Sequence, residues 1–246
     1  SCACIIPCFN EKDRIKDLIN EISKLESNLI DWYLLDNGSN DTTYQIMINE
    51  LSKVKLSNIF PIKKKKNNGY GAGLKYVINK INKSRESKKD KGLTLKKVYK
   101  YICWTHADGQ TPINDVAIAH NIAIKQEKKF ILIKGKRIQR KDGLLGIIFE
   151  FFLNLLVSLK YNKNILSAYS QPTLISKSLL LKISEHCPND SVFDLAVIVK
   201  GFLHKATILR FPVVFEKRTK GKGSNESLYQ KIKFSIDNLI YMFFRK

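Results

Sequence analysis

The chain has 246 residues, of which 44% are hydrophobic and 10% aromatic, so it can bury a sizeable core and is not expected to be disordered. Lysine and arginine number 43 against 22 acidic residues, a formal net charge of +21. This charge favours polyanionic partners (nucleic acid, anionic lipid headgroups or nucleotide phosphates), unless the lysines are simply solvated surface. The sequence has no zinc-finger spacing, RNP-type motif or basic heptad, so no nucleic-acid partner is expected.

The first half of the sequence alternates short apolar runs with helical patterns. The apolar runs predict buried strands at residues 3–6, 32–35, 59–62, 98–104 and 130–134. The segments between them predict helices at residues 11–25, 44–51, 71–81 and 112–126, and a polar mobile loop at 84–97. Pro7 is expected to stop the first strand, and Asp41 to cap the second helix. The alternation predicts an α/β fold with a mostly parallel central sheet flanked by helices.

Five cysteines are present, an odd number that argues against a disulfide scaffold and for a reducing compartment. Cys2, Cys4 and Cys8 cluster in sequence, but the first two fall in an apolar strand, where cysteine behaves as a small buried hydrophobe. We therefore expect a cytoplasmic protein and no metal site at these cysteines.

The second half is less regular. It predicts helices at 144–160, 177–184 and 191–202, with strands at 173–175 and 206–215. Residues 144–159 are the most apolar stretch, but they are short for a membrane span and carry Glu150 and Asn154. Residues 228–244 form an amphipathic segment with aromatic residues on one side and lysines around it.

Polar residues follow the first five predicted strands, each at the point where the strand ends. These clusters are Asn10-Glu11, Asp36-Asn37, Asn67-Asn68-Gly69, His106-Asp108-Gln110 and Lys136-Arg137. The carboxyl ends of parallel strands meet at one edge of a sheet, and ligands bind there. The sequence therefore predicts one site at which all five clusters converge.

Several residues of this edge have chemistry suited to a nucleoside diphosphate and its metal ion. Asp108 is the best candidate for binding Mg²⁺ or Mn²⁺, with Gln110 as a carbonyl donor. His106 could be a ligand, could hydrogen-bond a phosphate, or could simply be satisfied in its loop. Asp36 could accept from a ribose hydroxyl or cap its turn.

Glycines and basic residues extend this interpretation. Gly69, Gly71 and Gly73 would let backbone approach a ligand, although they match no phosphate-binding fingerprint. Arg137 offers a bidentate fork for a diphosphate. The basic loop from Arg218 to Ser224 would suit a lid, or would be a solvated turn.

Seven ordered segments resemble glycosyltransferase family 2, which has the GT-A fold, and are most similar to its dolichyl-phosphate mannose and glucose synthase branch. They are residues 5–11 (IIPCFNE), 36–43 (DNGSNDTT), 68–73 (NGYGAG), 107–110 (ADGQ), 134–137 (KGKR), 171–172 (QP) and 211–224 (FPVVFEKRTKGKGS). The resemblance implies one catalytic domain over residues 1–225, with a nucleotide-sugar half at 1–110 and an acceptor half at 111–225. Residues 226–246 would form an amphipathic tail helix.

The resemblance also implies roles for individual residues. Those expected to hold the nucleoside and the rest of the donor are Pro7, Asn10, Glu11, Asp36 and Gly69. Those expected to hold metal and diphosphate are Asp108, Gln110 and His106, and those expected to grip the diphosphate are Arg137, Arg218 and Ser224. The implied reaction inverts the anomeric carbon in one displacement.

Three positions depart from the family pattern: His106, Asn37 and Ser167 each stand where relatives carry Asp. These departures leave the catalytic base open, with Asp194 and Asp190 as candidates. A lipid-phosphate acceptor is already anionic and needs no base, which favours a polyprenyl phosphate.

The expected function is transfer of a sugar from a UDP- or GDP-sugar to a polyprenyl phosphate or a cell-surface glycan. The alternative is a catalytically degenerate protein of the same fold that binds a membrane or a partner. Residues 144–159 and the basic, aromatic tail could seat the chain on an anionic membrane face, or could pack as ordinary helices.

Overall fold

The computed structural model describes residues 1–25, 29–54, 56–83, 98–140, 144–163, 167–218, 220–221 and 227–244. Within these ranges the chain forms one seven-stranded sheet in the order β3-β2-β1-β4-β6-β5-β7. The strands are β1 Cys2–Cys8, β2 Ile30–Asp36, β3 Ile59–Lys63, β4 Tyr101–Trp104, β5 Ile131–Arg140, β6 Thr173–Ser176 and β7 Thr207–Phe215. The short β6 runs antiparallel to both of its neighbours, β4 and β5, and every other pairing is parallel.

Helices cover both faces of the sheet. They are α1 Ile15–Ser23, α2 Thr43–Leu51, α3 Tyr70–Lys83, α4 Asn114–Ile124, α5 Leu144–Tyr161, α6 Lys177–Ile183, α7 Phe193–Leu203 and α8 Leu228–Phe244. Side chains of α1, α2 and α4 pack into a core on one face, and those of α3, α5, α6, α7 and α8 pack into a core on the other. Alternate residues of β1 enter the two cores, as expected for a strand buried on both faces.

β1 continues through Pro7 to Cys8, so the prediction that Pro7 stops this strand is wrong. The carbonyl of Ile5 accepts from the backbone N–H of Thr105 on the β4 side (3.2 Å). Pro7 lies two residues further on and faces the same side, beyond the end of β4. The missing N–H therefore costs no ladder hydrogen bond, and β1 keeps pairing with β2 through Cys8.

Other predicted boundaries shift by a few residues. The helix predicted from residue 11 begins at Ile15, and the one predicted from 112 begins at Asn114. Asp41 accepts from the backbone of Thr43, the first residue of α2 (2.9 Å), rather than from deeper in the helix. β5 extends to Arg140 because it pairs with β7 along its length, so Lys136 and Arg137 lie within the strand. The predicted loop at 84–97 lies outside the described residues.

Both edge strands carry a proline, Pro61 in β3 and Pro212 in β7, which discourages further strand pairing.

The predicted tail helix packs on the domain, because Tyr241 and Met242 of α8 are buried in the same core as α3 and α7. Among the described residues, no helix combines the length and apolar character needed to cross a membrane.

Candidate active site

The loops that follow β1 and β2 are interlocked by hydrogen bonds. The backbone N–H of Asn10 donates to Ser39 Oγ (3.0 Å), and that of Asn40 donates to Asn10 Oδ1 (2.9 Å). The backbone N–H of Glu11 donates to Thr43 Oγ1 (2.9 Å). Asn10 has a φ of 56°, in the left-handed region that asparagine tolerates better than most residues. These bonds hold Asn10 and Glu11 at the carboxyl edge of the sheet in a fixed position.

Asp36, at the end of β2, is buried, and its Oδ1 accepts from the backbone N–H of Ser39 (3.0 Å). This is the turn-capping contact that the sequence left as one of two alternatives. Pro7 and Cys8 of β1 run beside this strand end, in register with Leu35 and Asp36. The nucleoside-binding roles of Asp36 and Pro7 stay predictions.

The glycines at the start of α3 serve tight packing against the loop that precedes α7. Gly69 has a φ of +107°, and a side chain there would collide with the carbonyl of Asn189. The backbone N–H groups of Gly71 and Ala72 donate to the carbonyls of Asp190 (3.2 Å) and Asn189 (2.8 Å). The predicted binding role of Gly69 is untested, and the described contacts show that α3 and this loop hold one another in place.

Glu11, Asp108 and Arg218 form a charged cluster at the centre of the edge. Arg218 Nη2 lies 2.6 Å from Glu11 Oε1, and Arg218 Nη1 lies 3.8 Å from Asp108 Oδ2. The backbone N–H of Gln110 donates to Asp108 Oδ1 (3.0 Å), and the Gln110 side-chain amide donates to the carbonyl of Glu216 (3.1 Å). The sequence predicted that the loops after β1 and β4 converge at this edge, and the structure adds Arg218 from the loop after β7 as the residue that contacts both carboxylates.

Glu11 is held in an unusual electrostatic state. Burial raises the pKa of its carboxyl, Arg218 opposes this by stabilising the charged form, and the nearby Asp108 carboxylate raises the pKa further. Its Oε2 is buried and has no hydrogen-bond partner among the described residues. A buried carboxylate oxygen without a partner is costly, so this atom is available to a ligand or a cation.

His106 lies beside the cluster and stacks against Tyr70, the first residue of α3. The two rings are nearly parallel, 10° apart, with centroids separated by 5.8 Å. Burial raises the pKa of Tyr70 well above its ordinary value, and the Asp194 and Asp108 carboxylates raise it further. Sequence reasoning does not single out Tyr70, because an aromatic residue at the start of a helix is usually only a packing residue.

Asp194, a candidate base, lies at the first turn of α7 inside a buried polar network. Its carboxylate accepts from the Trp104 indole N–H (2.9 Å) and the Gln171 side-chain amide (3.2 Å), and lies 3.4 Å from Lys134 Nζ. Both charged side chains of this pair are essentially buried, at 3% and 0% exposure. Burial lowers the pKa of Lys134 to about 8, although Asp194 opposes this. The network favours a positioning role for Asp194 over proton transfer with a substrate.

Sequence reasoning missed Lys134, Trp104 and Thr173 as members of this network. Lys134 Nζ also lies 2.5 Å from Thr173 Oγ1, so β4, β5, β6 and α7 are joined through one cluster. A signal was present, because Lys134 directly follows the buried apolar residues 131–133, and a lysine in such a position needs a buried partner.

Arg137 does not join the acidic cluster through its described contacts. Its Nη1 donates to Glu150 of α5 (2.8 Å), its Nη2 donates to the carbonyl of Tyr169 (3.2 Å), and the guanidinium lies 4.0 Å from the centroid of the Phe215 ring. Ser224, also expected at the diphosphate, lies outside the described residues. The predicted diphosphate roles of both residues stay predictions.

The acidic edge suits a divalent cation whose coordination is completed by its ligand. Among the described residues, no group of three or more His, Cys, Asp and Glu side chains could hold a metal ion. Asp108 and the Glu11 Oε2 atom, which has no partner within the described ranges, nevertheless supply the hard oxygen atoms that Mg²⁺ and Mn²⁺ prefer. The residues present therefore fit a cation that binds together with an anionic, oxygen-rich ligand such as a diphosphate.

The mostly parallel sheet with one antiparallel strand and an acidic site at its carboxyl edge has the architecture of the GT-A fold. The family model described as Glycosyl transferase family 2 matches residues 3–180, and the chain belongs to this family. A comparison with curated proteins finds none that matches.

Solved structures of glucosyl-3-phosphoglycerate synthase from Mycobacterium tuberculosis are similar over 98% of this chain and 79% of theirs. The complex with Mn²⁺, UDP and glucosyl-3-phosphoglycerate has 16% identity and a TM-score of 0.71. The complex with Mn²⁺, UDP-glucose and phosphoglyceric acid has 17% identity and a TM-score of 0.69, and the complex with Mg²⁺ and UDP has 15% and 0.70. At such low identity the similarity establishes the fold.

Proposed function

We propose that this chain transfers a sugar, with inversion, from a nucleotide-diphosphate donor to a phosphate-bearing acceptor in a reaction that depends on Mg²⁺ or Mn²⁺. The observation that carries the proposal is the cluster of Glu11, Asp108 and Arg218, in which the buried Oε2 of Glu11 has no partner in the part of the chain that the structure describes. A uridine donor is favoured over guanosine because the similar structures hold UDP and UDP-glucose.

In this proposal Asp108 and Glu11 hold the cation, which would offset negative charge on the departing nucleoside diphosphate. Arg218 reaches both carboxylates and would exchange them for the diphosphate when the donor enters. Its Nε donates to the carbonyl of Lys220 (2.9 Å), so the start of the basic loop is bonded to a member of this cluster. Arg137 is the other guanidinium proposed for the donor, and in the donor-free chain it is paired with Glu150.

The acceptor is proposed to carry its own negative charge, as a polyprenyl phosphate does. The Asp194 carboxylate is already engaged by Trp104, Gln171 and Lys134. An acceptor phosphate that is already ionised has no proton to lose, so the reaction would need no general base. The similar structures, which hold phosphoglyceric acid or its glucosylated product, support a phosphate-bearing acceptor. A cell-surface glycan is the other acceptor class considered, and it would need a base from outside this network.

The test is Asp108→Asn, assayed for nucleotide release from a panel of UDP- and GDP-sugars with Mn²⁺. We expect a loss of about 100-fold or more, because a neutral amide cannot replace the carboxylate at the cation, while thermal unfolding is unchanged. Asp115→Asn makes the same chemical change at the start of α4, outside the cluster of Glu11, Asp108 and Arg218. It is the control and should keep activity. Full activity of Asp108→Asn would overturn the metal role. A wild-type chain that binds no nucleotide with any metal in calorimetry would point to the degenerate binding module.

A further inference from the structure

Helices α5 and α8 lie side by side on one face of the domain. Their inner sides are buried: Leu153 and Val157 of α5 and Tyr241 and Met242 of α8 belong to the core. Lys160 of α5 lies over the ring of Phe243 (5.0 Å), so the two helices are joined near their ends. Their outer sides therefore form one continuous surface.

That surface is apolar to an unusual degree. Exposed large hydrophobic side chains number 21 among the described residues, and 13 of them lie on these two helices, seven on α5 and six on α8. On α5 they are Ile147, Ile148, Phe151, Phe152, Leu155, Leu156 and Leu159, and on α8 they are Tyr229, Ile232, Ile236, Ile240, Phe243 and Phe244. The spacing of three and four residues keeps each set on one side of its helix. Scattered exposed hydrophobic residues are normal, but a contiguous patch of this kind marks an interaction surface.

The charges on the two helices indicate the kind of partner. The sequence of α5 contains Glu150, which is paired with Arg137, and Lys160 at its last turn. The sequence of α8 contains Lys231 and Lys233 against one acid, Asp237. A depression of about 340 Å³ at the end of α5 is lined by Leu155, Leu159 and Lys163 among others. Apolar side chains bordered by lysines complement an anionic lipid headgroup layer over acyl chains.

The dimensions of the helices agree with such a partner. Neither is long and apolar enough to cross a bilayer, as already noted for the described helices. Each has one apolar side exposed and the other buried in the domain, which is the arrangement of a helix lying in the plane of a membrane interface. Phe151 and Phe152 are 62% and 57% exposed, and both rings could enter the acyl boundary without disturbing the core.

We propose that the outer faces of α5 and α8 form a docking surface for an anionic bilayer. The proposal deepens the proposed function, on which it rests only for the identity of the acceptor. Arg137 of β5 bonds Glu150 of α5 and the carbonyl of Tyr169, whose ring packs against Phe234 of α8 (4.7 Å). These contacts join α5 and α8 to β5, a strand of the sheet whose carboxyl edge carries the site.

The experiment is flotation of the full chain with two kinds of vesicle, phosphatidylcholine alone and phosphatidylcholine with phosphatidylglycerol in equal parts. We expect binding to the anionic vesicles, weakening with added salt, and about a tenfold or greater loss of binding for Phe151→Ser with Phe152→Ser. The matched control is Ile118→Ser with Ile124→Ser, two exposed isoleucines of α4 on the opposite face, which should bind as the wild type does.

Absence of wild-type binding to anionic vesicles, or equal binding by the phenylalanine variant, would overturn the proposal. The proposal would also be overturned if light scattering showed a stable dimer for the wild type and a monomer for the phenylalanine variant. The surface would then bind a second copy of the chain. Release of nucleotide from a soluble donor is measured in parallel. If the phenylalanine variant loses vesicle binding but still releases nucleotide, the docking surface is supported independently of the reaction. If the wild type binds vesicles but releases no nucleotide, the proposed reaction is wrong and the docking surface stands.

Discussion

Asp108 and Asp194 carry the same side chain in different surroundings. Asp108 is partly exposed at the sheet edge, its side chain 16% accessible, and it faces Arg218 across 3.8 Å. Asp194 is buried and satisfied by a lysine, an indole and an amide. Solvent access suits the Asp108 carboxylate to a cation and its ligand, whereas the Asp194 carboxylate holds together the strands beneath the site.

Breaking the buried pair is expected to destabilise the protein strongly. Lys134→Met would leave the Asp194 carboxylate buried without its cation, which typically costs about 3–5 kcal/mol. The measurement is the free energy of unfolding in urea. Lys136→Met, on the same strand at an exposed position, is the control and should change stability by less than about 0.5 kcal/mol. Equal stability of the two variants would show that the pair does not anchor the strands.

Arg218 is expected to affect cation and donor in opposite directions. Arg218→Ala removes a positive charge 3.8 Å from Asp108, so Mn²⁺ should bind the donor-free protein a few-fold more tightly. Nucleotide release should fall about 10- to 100-fold, because the diphosphate loses its guanidinium. Calorimetry with Mn²⁺ and a nucleotide-release assay measure the two effects. Arg218→Lys keeps the charge and should recover part of the activity, whereas unchanged activity in both variants would exclude the proposed grip.

Among the elements, the loops at the carboxyl edge of the sheet are fixed mainly by hydrogen bonds to one another. The loop after β1 is bonded to the loop after β2, and the start of α3 is bonded to the loop before α7. Lys75 of α3 also donates to the carbonyl of Cys187. An edge built in this way is fixed before a ligand arrives, which reduces the entropy cost of binding.

Asp115, at the start of α4, is expected to make stability depend on pH. Burial raises the pKa of its carboxyl to about 6, so the folded state holds a proton that the unfolded chain releases near pH 4. The contribution is fully present below about pH 4 and is lost as pH rises through about 6. Asp115→Asn should therefore be more stable than the wild type at pH 7.5, by about 1–2 kcal/mol.

The check is urea unfolding of wild type and Asp115→Asn at several pH values. The two curves should converge below about pH 4, where the wild-type carboxyl is protonated in both states. A stability difference that is the same at every pH would mean that the effect does not come from ionisation.

At the scale of the whole molecule, the sheet joins the two halves that the sequence suggested. β6 of the second half pairs with β4 of the first, and α8 returns to the core beside α5. Tyr169 also donates to Asn238 of α8. The predicted tail helix is thus part of the packed domain in the described structure.

Removal of α8 is therefore expected to destabilise the domain. Truncation after residue 226 exposes the core side of α5 and removes Tyr241 and Met242, whose burial contributes about 3–5 kcal/mol together. We expect a lower midpoint in thermal unfolding and a tendency to aggregate. The control is Phe243→Ser with Phe244→Ser, which alters exposed residues of the same helix and should leave the midpoint nearly unchanged. A truncated chain with wild-type stability would show that α8 is an independent appendage.

The amino-acid sequence predicted the alternation of strands and helices, the mostly parallel sheet, and Glu11 and Asp108 at the same edge of that sheet, but not the pairing of Arg218 with both carboxylates. It could do so because hydrophobic periodicity reports burial, and chain direction fixes the edge to which strand ends point. The sequence also indicated the family, because seven short segments that resemble it occur in the expected order, and the family model confirms this.

The partners of individual charges and the exposure of helix faces could be learned only from the folded chain. Asp194 accepts a hydrogen bond from Trp104, which lies 90 residues earlier in the sequence. Arg137 donates to Glu150 of α5. The apolar faces of α5 and α8 have the same local pattern whether they are covered or exposed. Such choices depend on which distant elements pack together, and local periodicity carries no information about that.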